Sequence, residues 1–139
     1  MQQKLFSNVV TVDAETKQVQ QVLANPQYLL EWVPEITMVK QNDKKFTINR
    51  AETALNQHEV ISIKRNVNEI RYVSTEGRLE YEIAFLITDE GKRTTIQEDV
   101  YVPEKAHLHL PLKLLAPIAK HAFNTNLNNL ASLIEKISI

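Results

Sequence analysis

Through the middle of the chain, apolar and polar side chains alternate with a period of two. Phe46 and Ile48 alternate with Thr47 and Asn49. Tyr81, Ile83, Phe85 and Ile87 alternate with Glu82, Ala84 and Leu86, and Ile96, Val100 and Val102 with Thr95, Gln97, Asp99 and Tyr101. Successive side chains of a strand point to opposite faces, so this pattern predicts a meander of antiparallel strands, each apolar on one face. Strands are expected near 4–12, 36–41, 45–54, 57–66, 69–75, 78–89 and 93–102. The connections carry turn chemistry. Gly77 in "STEGRL" and Gly91 in "TDEGKR", the only two glycines, stand where a hairpin needs positive φ, and Asn and Asp mark "QNDKK" and "RNVNE".

At both flanks the period lengthens to that of a helix. "DAETKQVQQVLANP" offers Asp13 as N-cap and places Val19, Val22 and Leu23 at helical spacing, and Pro26 bars its continuation. "PQYLLEWVPEI" follows, where a short helix hands over to a strand. It holds the only tryptophan, Trp32, between Pro26 and Pro34. The run from about 111 to 137 puts Leu115, Ala119, Ala122, Phe123, Leu127, Leu130, Ile134 and Ile137 on one stripe, with Pro117 either starting or kinking the helix. "NTNLNNL" (124–130) reads as its polar face. The order is strand, one or two short helices, six strands and one long helix. That helix has one place to lie, across the apolar face of the sheet.

Composition narrows the function more by exclusion than by indication. The 139 residues suit one domain, 1–139, and 43% hydrophobic with 24% charged residues is ordinary for a water-soluble protein. A net charge of −1, with basic residues single or paired, gives no electrostatic footprint for nucleic acid or anionic membrane. With no cysteine there is no disulfide framework, thiol nucleophile or thiolate metal site, which suits the cytoplasm. "MQQKLFSNVVTV" does not read as a signal peptide, and no apolar run approaches the roughly 20 residues of a membrane span. His107 and His109 in "AHLHLPL" stand two apart, but no spacing supplies a third ligand, so neither metal nor cofactor is expected. No phosphate-cradling glycine loop or G-x-S-x-G elbow occurs.

The element order, together with "VDAETKQVQQVLANPQYLLEWVPEI", resembles the START-like superfamily (SRPBCC), which includes polyketide cyclases, lipid-transfer domains and plant pathogenesis-related allergens. The local match is a strand ending Val12-Asp13-Ala14, a helix with Val19 and Val22-Leu23, a break at Asn25-Pro26, and Trp32-x-Pro34 leading into the next strand. The resemblance implies an α+β helix-grip fold: a seven-stranded antiparallel sheet wrapped around a long C-terminal helix, with two short helices after the first strand. It also implies a cavity between sheet and helix. Trp32 then either plugs one end of the core, the commoner role of a large aromatic, or borders the cavity mouth with Tyr28 and Leu29 as part of a lid.

On that fold, strand parity brings Trp32, Tyr72, Tyr81, Phe85, Glu98 and Phe123 toward one internal space. Glu98 shares the inward face with Ile96 and Val100, where a carboxylate without a partner costs several kcal/mol or shifts its pKa upward. Arg50, on the Phe46/Ile48 face, can hold an anionic head group, pair with Glu98, or reach out to water from a strand end. Three functions follow. The first is binding or transport of a small hydrophobic or amphipathic ligand. The second is a cyclase- or dehydratase-like enzyme using Glu98 with a Tyr or His as an acid–base pair. The third is a chaperone-activator-like interaction module with a filled cavity.

Overall fold

A computed structural model describes residues 2–103 and 111–138. Its seven strands are β1 (Gln2–Val12), β2 (Ile36–Asn42), β3 (Lys45–Arg50), β4 (His58–Arg65), β5 (Glu69–Thr75), β6 (Tyr81–Asp89) and β7 (Thr94–Pro103). They form one antiparallel sheet in the order β1-β7-β6-β5-β4-β3-β2. Consecutive strands are neighbours except that β1 closes against β7, so the first strand becomes one edge and β2 the other. Between β1 and β2 lie the short helices α1 (Thr16–Leu23) and α2 (Leu29–Trp32), joined by a 3-10 turn at Pro26–Tyr28, and α3 (Leu112–Ile137) follows the sheet.

The period-two reading finds every strand, with differences of more than two residues at two ends. The third strand stops at Arg50 rather than 54 because the chain turns there: Ala54 N donates to Ala51 O at 3.0 Å, and Ala51 N to Glu35 O at 2.9 Å. The sixth starts at Tyr81 rather than 78. The turn before it is not built as expected. Positive φ falls on Glu76 (64°), not on Gly77. Gly77 is there for closeness, since a Cβ would stand 2.7 Å from Asn56 Cγ. Gly91 does take φ of 83°, and Asp43 (58°) turns the β2–β3 hairpin.

Nor is Asp13 the cap of α1. Glu15 is, and it makes a reciprocal capping box with Gln18. Asn25 Oδ1 accepts from Gln27 N at 3.2 Å and opens the 3-10 turn, with Pro26 at a position that needs no donor. Val33, the residue before Pro34, leaves helical geometry (φ −118°, ψ 90°) and ends α2.

Pro117 lies inside α3 rather than at its start. The helix seats Leu127, Leu130, Ala131 and Ile134 in the core and packs most closely along β1. Each of the three larger side chains contributes about 1.5–3 kcal/mol of burial, an upper estimate. Ile137, expected on the same stripe, is 47% exposed at the C-terminal end of α3, where Ile134 is the last buried member of the stripe. Toward its N-terminal half the helix stands off the sheet: Leu115, Ala119 and Phe123 are only partly buried.

Candidate functional site

The gap left by the N-terminal half of α3 is a cavity of about 380 Å³. Its walls are mostly apolar: Leu5, Phe6, Ile61, Ile83, Val100 and Val102 from the sheet, Leu29, Trp32 and Val33 from the α2 segment, and Leu115, Ile118, Ala119 and Phe123 from α3. Adjacent residues of a strand normally face opposite ways, yet Leu5 and Phe6 both line it. A bulge in the β1–β7 ladder between Lys4 and Phe6 re-aims them. Phe123 meets Phe6 and Tyr81 edge-on, with ring centroids 5.3 and 6.4 Å away.

One polar cluster in the wall is complete in itself. Arg50 Nη2 donates to Glu59 Oε1 and to the Tyr81 hydroxyl, each at 3.0 Å, and Arg50 Nη1 donates to Glu35 Oε2 at 2.7 Å. Tyr81 in turn donates to Glu59 Oε1 at 2.7 Å, and Asn56 Nδ2 to Glu59 Oε2 at 2.8 Å. Asn56 is fixed from behind by Leu79, whose N–H reaches Asn56 Oδ1 at 2.8 Å and whose carbonyl accepts from Asn56 Nδ2 at 2.8 Å. Glu59 is thus wholly buried with both oxygens occupied. Burial alone would lower the Arg50 pKa; the charges and hydrogen bonds of Tyr81, Glu59 and Glu35 raise it well above its ordinary range. The Tyr81 phenol is pushed up, chiefly by burial.

The second polar group is different. Glu98 is 1% exposed, and its one hydrogen bond among the described residues comes from Asn8 Nδ2 at 3.3 Å. Burial pushes its carboxyl up to about 8, the Asn8 hydrogen bond only partly opposing this. Asn8 is shared with α3, since Nδ2 also reaches Lys120 O at 3.1 Å and Oδ1 accepts from Lys120 Nζ at 3.1 Å. The neighbouring Asp99 turns to the other face, where hydrogen bonds from Ser7 and Gln97 outweigh burial and hold its carboxyl below the usual range.

The residues singled out from the sequence fall into three groups. Trp32, Tyr72, Tyr81, Glu98, Arg50 and Phe123 all line the cavity. Phe85 does not: it is fully buried behind the wall, edge-on to Tyr72 (5.2 Å) and Trp32 (6.3 Å). Arg50 does not pair with Glu98, and its guanidinium, only partly exposed, is held by Glu35, Glu59 and Tyr81. β4, beside its own strand, offers Glu59, whereas Glu98 is on β7. The Tyr72 hydroxyl is committed to Leu23 O, tying the sheet to α1. Trp32 both packs and lines, at 3% exposure, and its Nε1 is buried without a hydrogen-bond partner among the described residues. Leu29 lines the cavity beside it; Tyr28 packs nearby without lining.

Glu59, Asn8 and Asn56 were missed. Alternation carried the signal for two of them, because Glu59 shares a face with Ile61 and Asn8 with Phe6 and Val10. Asn56 sits in the connection between the third and fourth strands and gave none. Two asparagines of "NTNLNNL" also face inward rather than to solvent: Asn126 lines the cavity, and Asn129 Nδ2 donates to Trp32 O at 3.3 Å. His107 and His109 lie outside the described residues. Among the described residues no group of three or more His, Asp or Glu side chains could hold a metal, and no helix is long and apolar enough to cross a membrane.

This architecture recurs in solved structures. A START superfamily protein from Mycobacterium smegmatis superposes with a TM-score of 0.77 at 20% identity, over 95% of this chain and 97% of that one. The chain has the START-like helix-grip fold. The Zhui aromatase/cyclase from Streptomyces shares it with a TM-score of 0.72 at 13% identity, covering 98% of this chain and 95% of that one. Norcoclaurine synthase from Thalictrum flavum does so with a TM-score of 0.70 at 12% identity, covering 98% and 88%. No protein-family model and no curated protein sequence matches the chain. The likeness is one of START-like architecture, carried by geometry at identities where side chains have diverged.

Proposed function

We propose that the chain binds a small hydrophobic or amphipathic molecule between the sheet and α3. The observation that carries this reading is the cavity itself: about 380 Å³, largely apolar, with a few polar groups in the wall. That volume is at the small end of the roughly 300–1,000 Å³ typical of small-molecule sites, which favours a compact molecule over a two-chain lipid. Space of this size also weighs against an interaction module whose interior is filled. Enzymes are found on this architecture, the aromatase/cyclase among them.

Acid–base catalysis is the second reading, and Glu98 supports it. A carboxyl inside a cavity, pushed up to about 8, is poised near neutral pH. Among the described residues the two tyrosine hydroxyls in the wall offer it no free partner, because those of Tyr81 and Tyr72 are both engaged. Binding without turnover therefore has the better support.

The test is a titration with the neutral apolar dye Nile red, followed by its own emission and by Trp32 fluorescence. One dye per chain is expected. Ala119→Trp, which fills the space from α3, should abolish binding while leaving the circular dichroism spectrum unchanged. Dye uptake that is non-stoichiometric, or indifferent to Ala119→Trp, would refute a cavity site.

A further inference from the structure

Charge in the cavity wall is unevenly answered. Arg50 is the wall's one cation among the described residues, and it faces two carboxylates, Glu59 and Glu35. The guanidinium nitrogens that point to those groups are already donating, so a ligand carboxylate or phosphate would have to displace Glu35 or Glu59 to use them. Glu98 is on β7, four strands from β3 in the sheet order, and makes no ion pair with Arg50. Its surroundings, taken element by element, supply no ion-paired counter-charge among the described residues. β1 presents the Asn8 amide at 3.3 Å, β6 presents Phe85 as the cross-strand neighbour, and Asp99 on its own strand turns away. From α3, the Lys120 ammonium is held by Ser7 O at 2.5 Å and Asn8 Oδ1 at 3.1 Å; its charge opposes the upward shift of Glu98 through space, less than burial drives it, and it makes no ion pair with Glu98. One Glu98 oxygen is left without a partner among the described residues.

We propose, resting on the reading of this cavity as a ligand site, that its ligand is a small organic cation: an amine on an apolar body, the ammonium seated against Glu98 and the body against Trp32, Val100 and Phe123. An unanswered carboxyl among apolar walls is the group that gains most from an incoming cation. The excess carboxylate at the Arg50 cluster biases the whole low-dielectric space the same way. Without ligand the acid holds its proton, since burial pushes it up to about 8. A bound ammonium ionises it, and the proton leaves to solvent.

Three probes of one size separate this from its alternatives: phenethylamine, the neutral ketone benzylacetone, and 3-phenylpropanoate. Each is titrated by calorimetry and Trp32 fluorescence between pH 7 and pH 9, where an alkylammonium keeps most of its charge. The amine should bind tightest, releasing close to one proton at pH 7. Its affinity should rise about tenfold across that interval as the ionised fraction of Glu98 grows. Glu98→Gln should flatten the profile and weaken the amine at least tenfold, leaving the ketone unchanged. The ketone binding more tightly at pH 7 than at pH 9, with the amine flat, would overturn the cation while leaving the cavity site intact. Tight binding of the carboxylate would do the same. Nile red failing along with all three probes would bring down both readings.

Discussion

Glu98→Gln is predicted to change the pH dependence of stability in a way no other single substitution in the sheet should. Glutamine is nearly isosteric with glutamate and still accepts the Asn8 amide bond, so what is removed is the ability to ionise. In the native protein burial raises the carboxyl from 4.5 to about 8. Below pH 4.5 both folded and unfolded chains hold the proton, and the neutral acid is tolerated in the core. Between about 4.5 and 8 the unfolded chain releases it while the folded one keeps it. Stability therefore falls as pH rises, and levels off once the folded group has also ionised. At about 1.4 kcal/mol per pH unit that interval amounts to on the order of 5 kcal/mol. The variant lacks this loss, so its stability relative to the native protein should climb by several kcal/mol between acidic and mildly alkaline pH. Urea unfolding followed by circular dichroism, at matched pH steps for both proteins, isolates the effect because every other titration cancels in the difference. Parallel stability curves would show that Glu98 titrates as an exposed glutamate does, and the account of the cavity as a site with an unanswered acid would be wrong.

The Arg50 cluster should respond in the opposite direction. Glu59→Gln leaves the buried guanidinium short of its closest charge and is expected to cost about 3–5 kcal/mol in urea unfolding at neutral pH, as breaking one side of a buried pair does; no loss would mean that Glu35 alone suffices. Gly77→Ala forces a Cβ into Asn56 at 2.7 Å, which loosens the side chain holding Glu59, so a loss of about 1–3 kcal/mol is expected. Gly91→Ala meets nothing within 4 Å and carries only the positive-φ penalty, about 1 kcal/mol, so the two melting temperatures should separate with Gly77→Ala the lower. Dialysis against a chelator should leave the melting temperature of the native protein unchanged, and a drop of several degrees would bring His107 and His109 back into consideration as ligands.

What could be read in advance divides along a physical line. Period-two alternation reports which face of a strand is buried, so it located the seven strands and put Glu98 with Ile96 and Val100 on the inner face. It does not report which strands are neighbours. The acidic partner considered for Arg50 from sequence was Glu98, whereas the partner it has, Glu59, is set by the β3–β4 hairpin. There Ile48 sits opposite Glu59, and Arg50 reaches it diagonally. Reading strand through 51–54 hid that hairpin, and Glu59 with it. Phe85 shows the converse error. Parity correctly turned it inward, but inward includes both the cavity wall and the packed layer behind it, and only the positions of Tyr72 and Trp32 decide which. Asn126 and Asn129 were assigned to solvent because asparagine is polar, whereas the helix uses one to line the cavity and the other to hold the Trp32 carbonyl.

The two buried glutamates of this sheet make the same chemical group carry opposite consequences. Glu59 has an arginine, a phenol and an amide around it, so its desolvation is offset and the cluster fastens the β3–β4 hairpin to β6. Glu98 has one long amide bond and an open side toward the cavity. A glutamine or leucine at that position would pack in the same volume without the penalty, so the fold gains nothing from the carboxyl while the cavity is empty. On the proposed reading, the group is explained by a state in which a ligand occupies the space next to it. The asymmetry between a satisfied cluster and an unsatisfied acid in one wall is therefore the strongest physical pointer to where a ligand's polar end belongs.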